Sequence, residues 1–142
     1  MKIKKYLGLF AALVLVALLG ACKKDPVSPK TGTISGTVGV PNVFNAFILD
    51  PIPNARVGIY ASLSDLQNDR HLKTATSSGT GAYTLSEVAP GAYYLDVWKD
   101  NDFSDDLSSG DYYGYVGSTE PVTLTVTAGQ TATLNIRLEV WP

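Results

Sequence analysis

The stretch TATLNIRLEV, Thr131–Val140, alternates apolar and polar side chains without a break. Because successive side chains of a β-strand point to opposite faces, this period of two predicts a strand with one buried face and one face in water. The expected buried side chains are Ala132, Leu134, Ile136, Leu138 and Val140, and those expected in water are Thr131, Thr133, Asn135, Arg137 and Glu139.

Seven further segments are predicted as strands from alternation, β-favouring composition and flanking Gly, Pro or Asx turns. Eight short strands separated by turns predict an all-β protein, a seven- to eight-stranded antiparallel β-sandwich of immunoglobulin-like type. One short helix is predicted near 64–69, where Ser64 and Gln67 have the spacing of a capping box. In segment 55–61, Arg56, Gly58 and Tyr60 are expected in water and Ala61 in the core. The seven segments are 34–40, 55–61, 72–76, 82–85, 92–99, 112–116 and 122–126.

Four motifs carry a resemblance to a known family. They are ISGTV at 34–38, IPNARV at 52–57, TSSGTGAYTL at 76–85 and VAPGAYYLDV at 88–97. Together they resemble the carboxypeptidase regulatory-like domain, over nearly all of residues 31–140. The resemblance implies a transthyretin-like (prealbumin-like) sandwich and a non-catalytic role.

The first 21 residues have the three parts of a secretory signal peptide. Three lysines in 1–5 precede an apolar run at 6–19, and two small residues stand before Cys22. The run is shorter than the roughly 20 residues that a membrane-spanning helix needs. Leu19-Gly20-Ala21-Cys22 resembles the lipobox of bacterial lipoproteins, which implies that the chain is cut after residue 21 and that Cys22 receives the lipid.

This second resemblance also implies where the protein sits. Several acyl chains such as palmitate hold a protein stably on a membrane, so the lipid is the predicted membrane partner. Residues 22–30 would form the lipid anchor and a short tether, and 31–142 the folded domain. Lys23 and Lys24 replace the acidic residue that retains many such lipoproteins at the inner membrane, which favours the outer membrane. The periplasmic face and the cell surface both remain open.

Composition excludes several classes of function. Of the 11 basic residues three lie in 1–21, so the remaining chain has eight basic against 13 acidic residues and a formal net charge of −5. A surface of that sign is a poor partner for nucleic acid. The chain has one histidine, His71, and one cysteine, which is assigned to lipid, so it offers no zinc ligand set. We therefore predict that the protein is not an enzyme.

The most acidic segment is DNDFSDDLSSGD, residues 100–111, with five carboxylates. Its acidic and hydroxyl side chains alternate as ligands do in a twelve-residue calcium loop. Two positions depart from that pattern: Asp105 stands where the loop requires Gly, and the last position is Asp rather than the longer Glu. The alternative is a hydrated acidic turn that keeps a sheet edge soluble. Calcium is the only cofactor predicted, with the candidate ligands Asp100, Asp102, Ser104, Asp106 and Asp111.

Aromatic residues flank the same segment and offer a second kind of site. The candidate binding residues are Trp98, Phe103, Tyr112 and Tyr113, with Tyr115 next to them. Exposed coplanar rings would favour a surface that binds a glycan or a protein partner, whereas rings turned between the sheets would favour a structural role. The leading interpretation is a lipid-anchored structural or accessory domain of the envelope. The alternative is a surface binding module for a glycan or a protein, stabilised by calcium.

Residues 43–49, VFNAFIL, form an apolar insertion where a short polar loop would suffice. Because apolar area left in water costs about 25 cal/mol per Å², we expect this insertion to fold back and close one end of the sandwich. The alternative is an exposed patch that contacts a partner.

Overall fold

A computed structural model describes residues 30–117 and 120–142. The predicted signal peptide at 1–21, the lipid site Cys22 and the tether up to residue 29 lie outside the described residues.

The described residues are almost entirely β-structure with one short helix, as the alternation predicts. Each predicted strand segment forms at least one strand, and one additional strand, β2, begins at the last residue of the apolar insertion. The strands are β1 (Gly32–Pro41), β2 (Leu49–Pro51), β3 (Arg56–Tyr60), β4 (Lys73–Thr76), β5 (Ala82–Val88), β6 (Gly91–Lys99), β7 (Tyr112–Tyr115), β8 (Leu124–Val126), β9 (Thr131–Thr133), β10 (Ile136–Arg137) and β11 (Glu139–Val140).

Two sheets pack face to face, so the predicted all-β sandwich is confirmed. The first sheet contains β1 with its neighbours β2, β5, β9 and β10, and the second contains β3, β4, β6, β7, β8 and β11. Apolar side chains that point inward from both sheets form one core. Its most buried members include Ile34, Val38, Val57, Leu85, Leu95, Val97 and Leu138.

The C-terminal segment differs from the single strand that was predicted. It forms β9 and β10, which both pair with β1 in parallel, and then β11, which pairs with β7 in the second sheet. The sandwich is therefore mixed rather than purely antiparallel. The alternation holds through Leu138, which is fully buried, but Val140 is 61% exposed because the chain has left the core by then.

The helix α1 (Leu63–Gln67) begins earlier than predicted. Its N-cap is Ser62, not Ser64, and the Ser62 side chain accepts a hydrogen bond from the Asp65 backbone N–H. Leu66 of α1 is buried against the face of the second sheet that points away from the core. This helix is far too short to cross a membrane, and no other helix occurs in residues 30–117 and 120–142.

The prediction for the apolar insertion is wrong. Phe44 is 94% exposed and Phe47 is 99% exposed, so the insertion does not cover the core. Asn42 and Asn45 instead organise it, since their side-chain oxygens accept hydrogen bonds from the backbone N–H groups of residues 44, 45 and 47. These local bonds fold the segment into a compact exposed turn, and they compete with packing onto the sandwich.

Candidate functional site

The acidic segment is a loop between β6 and β7, held together by its own backbone. The Asp100 carboxylate accepts hydrogen bonds from the N–H groups of Asp102, Phe103 and Asp105. Asp111 is 1% exposed, and its carboxylate accepts from the N–H groups of Asn101 (2.8 Å) and Ser108 (2.9 Å). Five carboxylates can share this loop because backbone donors, rather than lysines, face several of them.

The loop brings together three of the five predicted calcium ligands. One carboxylate oxygen from each of Asp100, Asp102 and Asp111 lies within 4.8 Å of the others. Asp106 does not join this group, and Ser104 Oγ donates to the carbonyl of Asp106. Asp105 adopts the left-handed conformation, with φ of 61°, that a calcium loop normally reserves for Gly at this position.

Hydrogen bonds lower the pKa values of two of these carboxyl groups. Bonds from Ser104 and Ser108 hold the pKa of Asp102 below its usual value. The N–H groups of Asn101 and Ser108 do the same for the pKa of Asp111. Both side chains are therefore carboxylates at neutral pH, the form in which a divalent cation would bind them.

The calcium site stays a prediction with a direct test. A site with a Kd of about 1 mM would stabilise the fold by about 1.4 kcal/mol in about 10 mM calcium, which is a rise in Tm of about 5–10 °C. We expect this rise in a thermal melt against excess chelator, and we expect Asp102→Asn to remove most of it. The matched control is Asp105→Asn, which changes the same charge in the same loop outside the three-carboxylate group. Equal Tm values in calcium and chelator would refute the site.

The four predicted binding residues separate into two groups. Trp98 and Tyr113 lie opposite each other on β6 and β7, half-buried on the outer face of the second sheet. Tyr112 packs against the core, and Phe103 is 86% exposed at the loop tip with Lys99 Nζ 5.8 Å from its ring.

The outer-face rings do not form a flat platform. Tyr113 meets Tyr115 at 59° and Trp141 at 80°, with ring centres 5.9 Å and 5.6 Å apart. The coplanar arrangement that would mark a stacking surface is therefore not formed by these rings.

A polar network is buried on the same outer face. Tyr60, expected in water, is fully buried there, and Asp96 of the neighbouring strand is 5% exposed. The Tyr60 hydroxyl lies 3.0 Å from Asp96 Oδ1 and 2.8 Å from Asp69 Oδ1. Gly58 makes room for this arrangement, because a Cβ at that position would lie 2.9 Å from the hydroxyl. Burial is the main cause that raises the pKa of Asp96 to about 6.

Arg56 links this network to the aromatic rings. Its two terminal nitrogens donate to the two oxygens of Asp69 at 2.9 Å and 2.8 Å, and its guanidinium lies 5.0 Å from the centre of the Trp98 ring. Its Nε is buried without a hydrogen-bond partner in the described structure. Buried donors normally find an acceptor, so this nitrogen is an unsatisfied donor on the outer face of the second sheet.

These side chains surround a cleft of about 400 Å³. Arg56, Asp96 and Trp98 line it, and the acidic loop supplies part of its rim through the exposed Asp105 and Asp106. Trp98 Nε1 lies 3.4 Å from Asp111 Oδ2, which connects the cleft wall to the buried carboxylate of the loop. The remaining lining residues are Leu66, Gln67, Asn68, Asp69, Leu107, Tyr113 and Trp141. Part of the acidic loop, residues 105–107, and two of the four predicted binding residues, Trp98 and Tyr113, thus belong to one site, which we call the outer-face cleft.

A second groove of about 510 Å³ lies across Tyr113 and Trp141, beside β7 and β11. Its charged lining residues are Arg137 and Glu139, exposed side chains whose charged atoms lie 3.9 Å apart. It lacks a buried charged group, so the outer-face cleft is the stronger candidate for specific recognition.

Sequence reasoning missed most residues of this cleft, among them Arg56, Asp69, Asp96 and Trp141. They lie far apart along the chain and meet only through strand register, which sets Arg56 opposite Trp98 and Gly58 opposite Asp96. His71, the one histidine of the chain, is exposed, with its Nδ1 3.9 Å from Asp69 Oδ1. The one sequence signal for this cleft was Asp96, a charged residue within the otherwise apolar centre of β6.

No family model matches the chain, and no curated protein matches it. The resemblance to the carboxypeptidase regulatory-like domain therefore stays a prediction. Solved structures do show similarity, at 12–16% identity.

The chain is similar to a candidate carbohydrate-binding protein from Pseudomonas aeruginosa, with a TM-score of 0.50 and 12% identity over 76% of this chain and 88% of that one. It is also similar to the Bacillus anthracis TIE protein (TM-score 0.49, 16% identity, 78% of this chain) and to the minor pilin of Streptococcus agalactiae (0.47, 13%, 80%). It spans 17% of the TIE protein and 46% of the pilin. At these identities the likeness to the Pseudomonas protein is one of β-sandwich fold alone.

Proposed function

We propose that the protein is a non-catalytic module, held on the outer membrane by a lipid on Cys22, that binds carbohydrate in the outer-face cleft. The observation that carries the proposal is the cleft itself, in which indole rings lie beside buried and half-buried hydrogen-bonding groups. Sugar rings offer apolar faces and hydroxyl edges at once, and a cleft of this composition matches both. Trp98 and Trp141 line this cleft together with the polar groups of Arg56 and Asp96.

The fold supports this proposal without identifying a ligand, because similar folds host unrelated functions. One protein of similar fold is a candidate carbohydrate-binding protein. The sequence has one histidine and one cysteine and so offers no zinc ligand set, which supports the non-catalytic part of the proposal.

A role as a structural or accessory domain of a larger envelope assembly is the second candidate. The exposed apolar turn favours it, since Phe44 and Phe47 present large rings to water at 94% and 99% exposure. Contiguous exposed apolar residues commonly mark protein contacts. In this case the outer-face cleft would bind no glycan.

The anchor is tested through the single cysteine. In a Gram-negative host, we expect the full chain to fractionate with the outer membrane and to incorporate a labelled palmitate analogue. Cys22→Ser should abolish labelling and release the chain from the membrane fraction, because the lipid supplies the membrane affinity. Retention of the Cys22→Ser variant in the membrane fraction would show that something other than the lipid holds the protein.

Binding is tested by screening the full chain against a glycan array and then measuring affinity by titration calorimetry. Trp98→Ala removes a ring from the cleft wall, and we expect it to weaken binding at least tenfold, which is about 1.4 kcal/mol. The matched control is Phe103→Ala, which removes an aromatic ring from the nearby loop but not from the cleft.

Two outcomes would count against the proposal. Either no glycan binds the wild-type protein, or Phe103→Ala weakens binding as much as Trp98→Ala. A thermal melt of both variants shows whether each is folded, and Trp98→Phe provides a milder substitution if the alanine variant is not.

A further inference from the structure

Asp96 lacks hydrogen-bond donors for a buried carboxylate. The Tyr60 hydroxyl has one proton, and it lies between Asp96 and Asp69 at distances of 3.0 Å and 2.8 Å. No residue in 30–117 or 120–142 donates to Asp96 Oδ2, although the side chain is only 5% exposed and lines the outer-face cleft. Among the described residues the fully buried side-chain atom without a partner is Arg56 Nε, so Asp96 Oδ2 is open to the cleft, where a ligand can donate to it.

The charges of the residues that line the cleft indicate whether the donor belongs to a cationic, neutral or anionic ligand. Arg56 is the single cationic side chain among the described lining residues, and both of its terminal nitrogens are committed to Asp69. Within residues 30–117 and 120–142 no salt bridge involves Asp96, Asp105 or Asp106, although the charge of Arg56 also acts on Asp96. An anionic ligand would be repelled by this set, and a neutral one would leave it uncompensated.

The aromatic rings of the cleft also favour a cationic ligand. Trp98 and Trp141 both line the cleft, and the negative face of an indole ring attracts cations. Arg56 already uses this attraction at 5.0 Å from Trp98. Because Asp96 has a pKa of about 6, it is mostly ionised at neutral pH, and a neighbouring cation would stabilise that form further.

Building on the proposed carbohydrate-binding function, we propose that the ligand of the outer-face cleft is an amino sugar whose protonated amine donates to Asp96. The sugar ring then lies against Trp98, and the rim carboxylates of the acidic loop add long-range attraction. The ligand class is thus a glycan with free amines rather than a neutral or acidic one.

The test uses two oligosaccharides that differ in charge and N-acetylation. The full chain is titrated with the trimer of glucosamine, which has free amines, and with the same trimer fully N-acetylated, at about pH 6.5, where amines are protonated. We expect the free-amine trimer to bind at least tenfold more tightly. Asp96→Asn should bring the two affinities together, whereas Glu87→Gln, an equal charge change at an exposed position of β5 outside the cleft, should preserve the preference. Circular dichroism melts establish that both variants are folded.

The outcomes separate this inference from the function on which it rests. Equal affinity for the two trimers, tighter binding of another neutral or acidic glycan from the array, or a preference that survives Asp96→Asn would overturn the amino-sugar inference and leave carbohydrate binding in place. A failure to bind every glycan would overturn both. A third titrant, the peptide Gly-Lys-Gly, also carries an amine. If it binds as tightly as the free-amine trimer, the cleft recognises the amine of a protein partner, and the inference of an amino sugar is overturned.

Discussion

Replacement of Gly36 by Ala should destabilise the domain by about 3 kcal/mol or more, although it adds a single methyl group. Gly36 lies in β1, where the C-terminal segment runs alongside in the register that joins Ser35 to Thr133 and Val38 to Ile136. A Cβ on Gly36 would lie 1.7 Å from the carbonyl oxygen of Leu134 and 2.5 Å from its carbonyl carbon. Both are backbone atoms, so no rotamer change relieves the overlap and the two strands must separate.

Separation of these strands would also break the hydrogen bonds on either side of Gly36. The Leu134 N–H donates to the Ser35 carbonyl at 2.8 Å, and the Thr37 N–H donates to the Asn135 side-chain oxygen at 3.0 Å. Asn135, expected simply to face water, therefore completes the pairing of β1 where a backbone carbonyl would otherwise act. Loss of such bonds in a packed sheet adds to the steric cost.

Urea unfolding measures this effect, and a loss of about 3 kcal/mol moves the midpoint by at least about 1 M. Gly79→Ala is the matched control, because nothing lies within 4 Å of a Cβ at that position and its φ is not in the left-handed region. It should change stability by no more than about 0.5 kcal/mol. A Gly36→Ala variant that unfolds at the wild-type midpoint would show that the two strands do not approach as closely as described.

The strands were predictable from the sequence because alternation reports burial directly. The alternation gave the wrong burial where the helix α1 covers the outer face of the second sheet. Tyr60 was assigned to water by parity and does lie on the outer face, but α1 packs there and buries it. Ala61, assigned to the core, is exposed because β3 ends at Tyr60. The position of a residue in the alternation indicates on which face of the sheet its side chain lies, but not which other element covers that face.

The candidate site was predictable only where its residues are neighbours in sequence. The acidic loop is local, so its segment and three converging carboxylates could be identified from spacing. The cleft joins Arg56, Asp69, Asp96 and Trp141 from four separate segments, and strand register, which brings them together, is a tertiary property. The apolar turn was mispredicted because the apolar composition of 43–49 outweighed Asn42 and Asn45, whose side chains organise the backbone.

The pH dependence of stability should change when Asp96 is replaced by Asn. Burial raises the pKa of Asp96 from 3.8 to about 6, so between these values the folded protein binds more protons than the unfolded chain. Stability falls with rising pH wherever the folded state binds more protons. The contribution of Asp96 is therefore greatest below about pH 4 and is lost by about pH 6–7. About two pKa units correspond to about 3 kcal/mol.

The groups around Asp96 explain this sign. Arg56 and Tyr60 approach from β3, Asp69 from the segment after α1, and Tyr115 lies opposite on β7. A protonated Asp96 can donate to the Tyr60 oxygen while Tyr60 donates to Asp69, which satisfies all three groups. Once ionised, Asp96 competes with Asp69 for one hydroxyl proton, and Arg56 is already committed to Asp69.

Other carboxylates oppose this trend, so the difference between two proteins is the informative quantity. The pKa values of Asp65, Asp69, Asp102 and Asp111 are lowered in the folded state, and these groups add stability as pH rises towards 4. Asparagine keeps the shape of Asp96 and an acceptor for Tyr60 but does not ionise. The free energy of unfolding of Asp96→Asn minus that of the wild type should therefore rise by about 3 kcal/mol between pH 4 and pH 7.5. Asp105→Asn, which removes an exposed carboxylate, should give a much smaller rise, and an equal rise in both variants would mean that general charge repulsion, not the burial of Asp96, sets the profile.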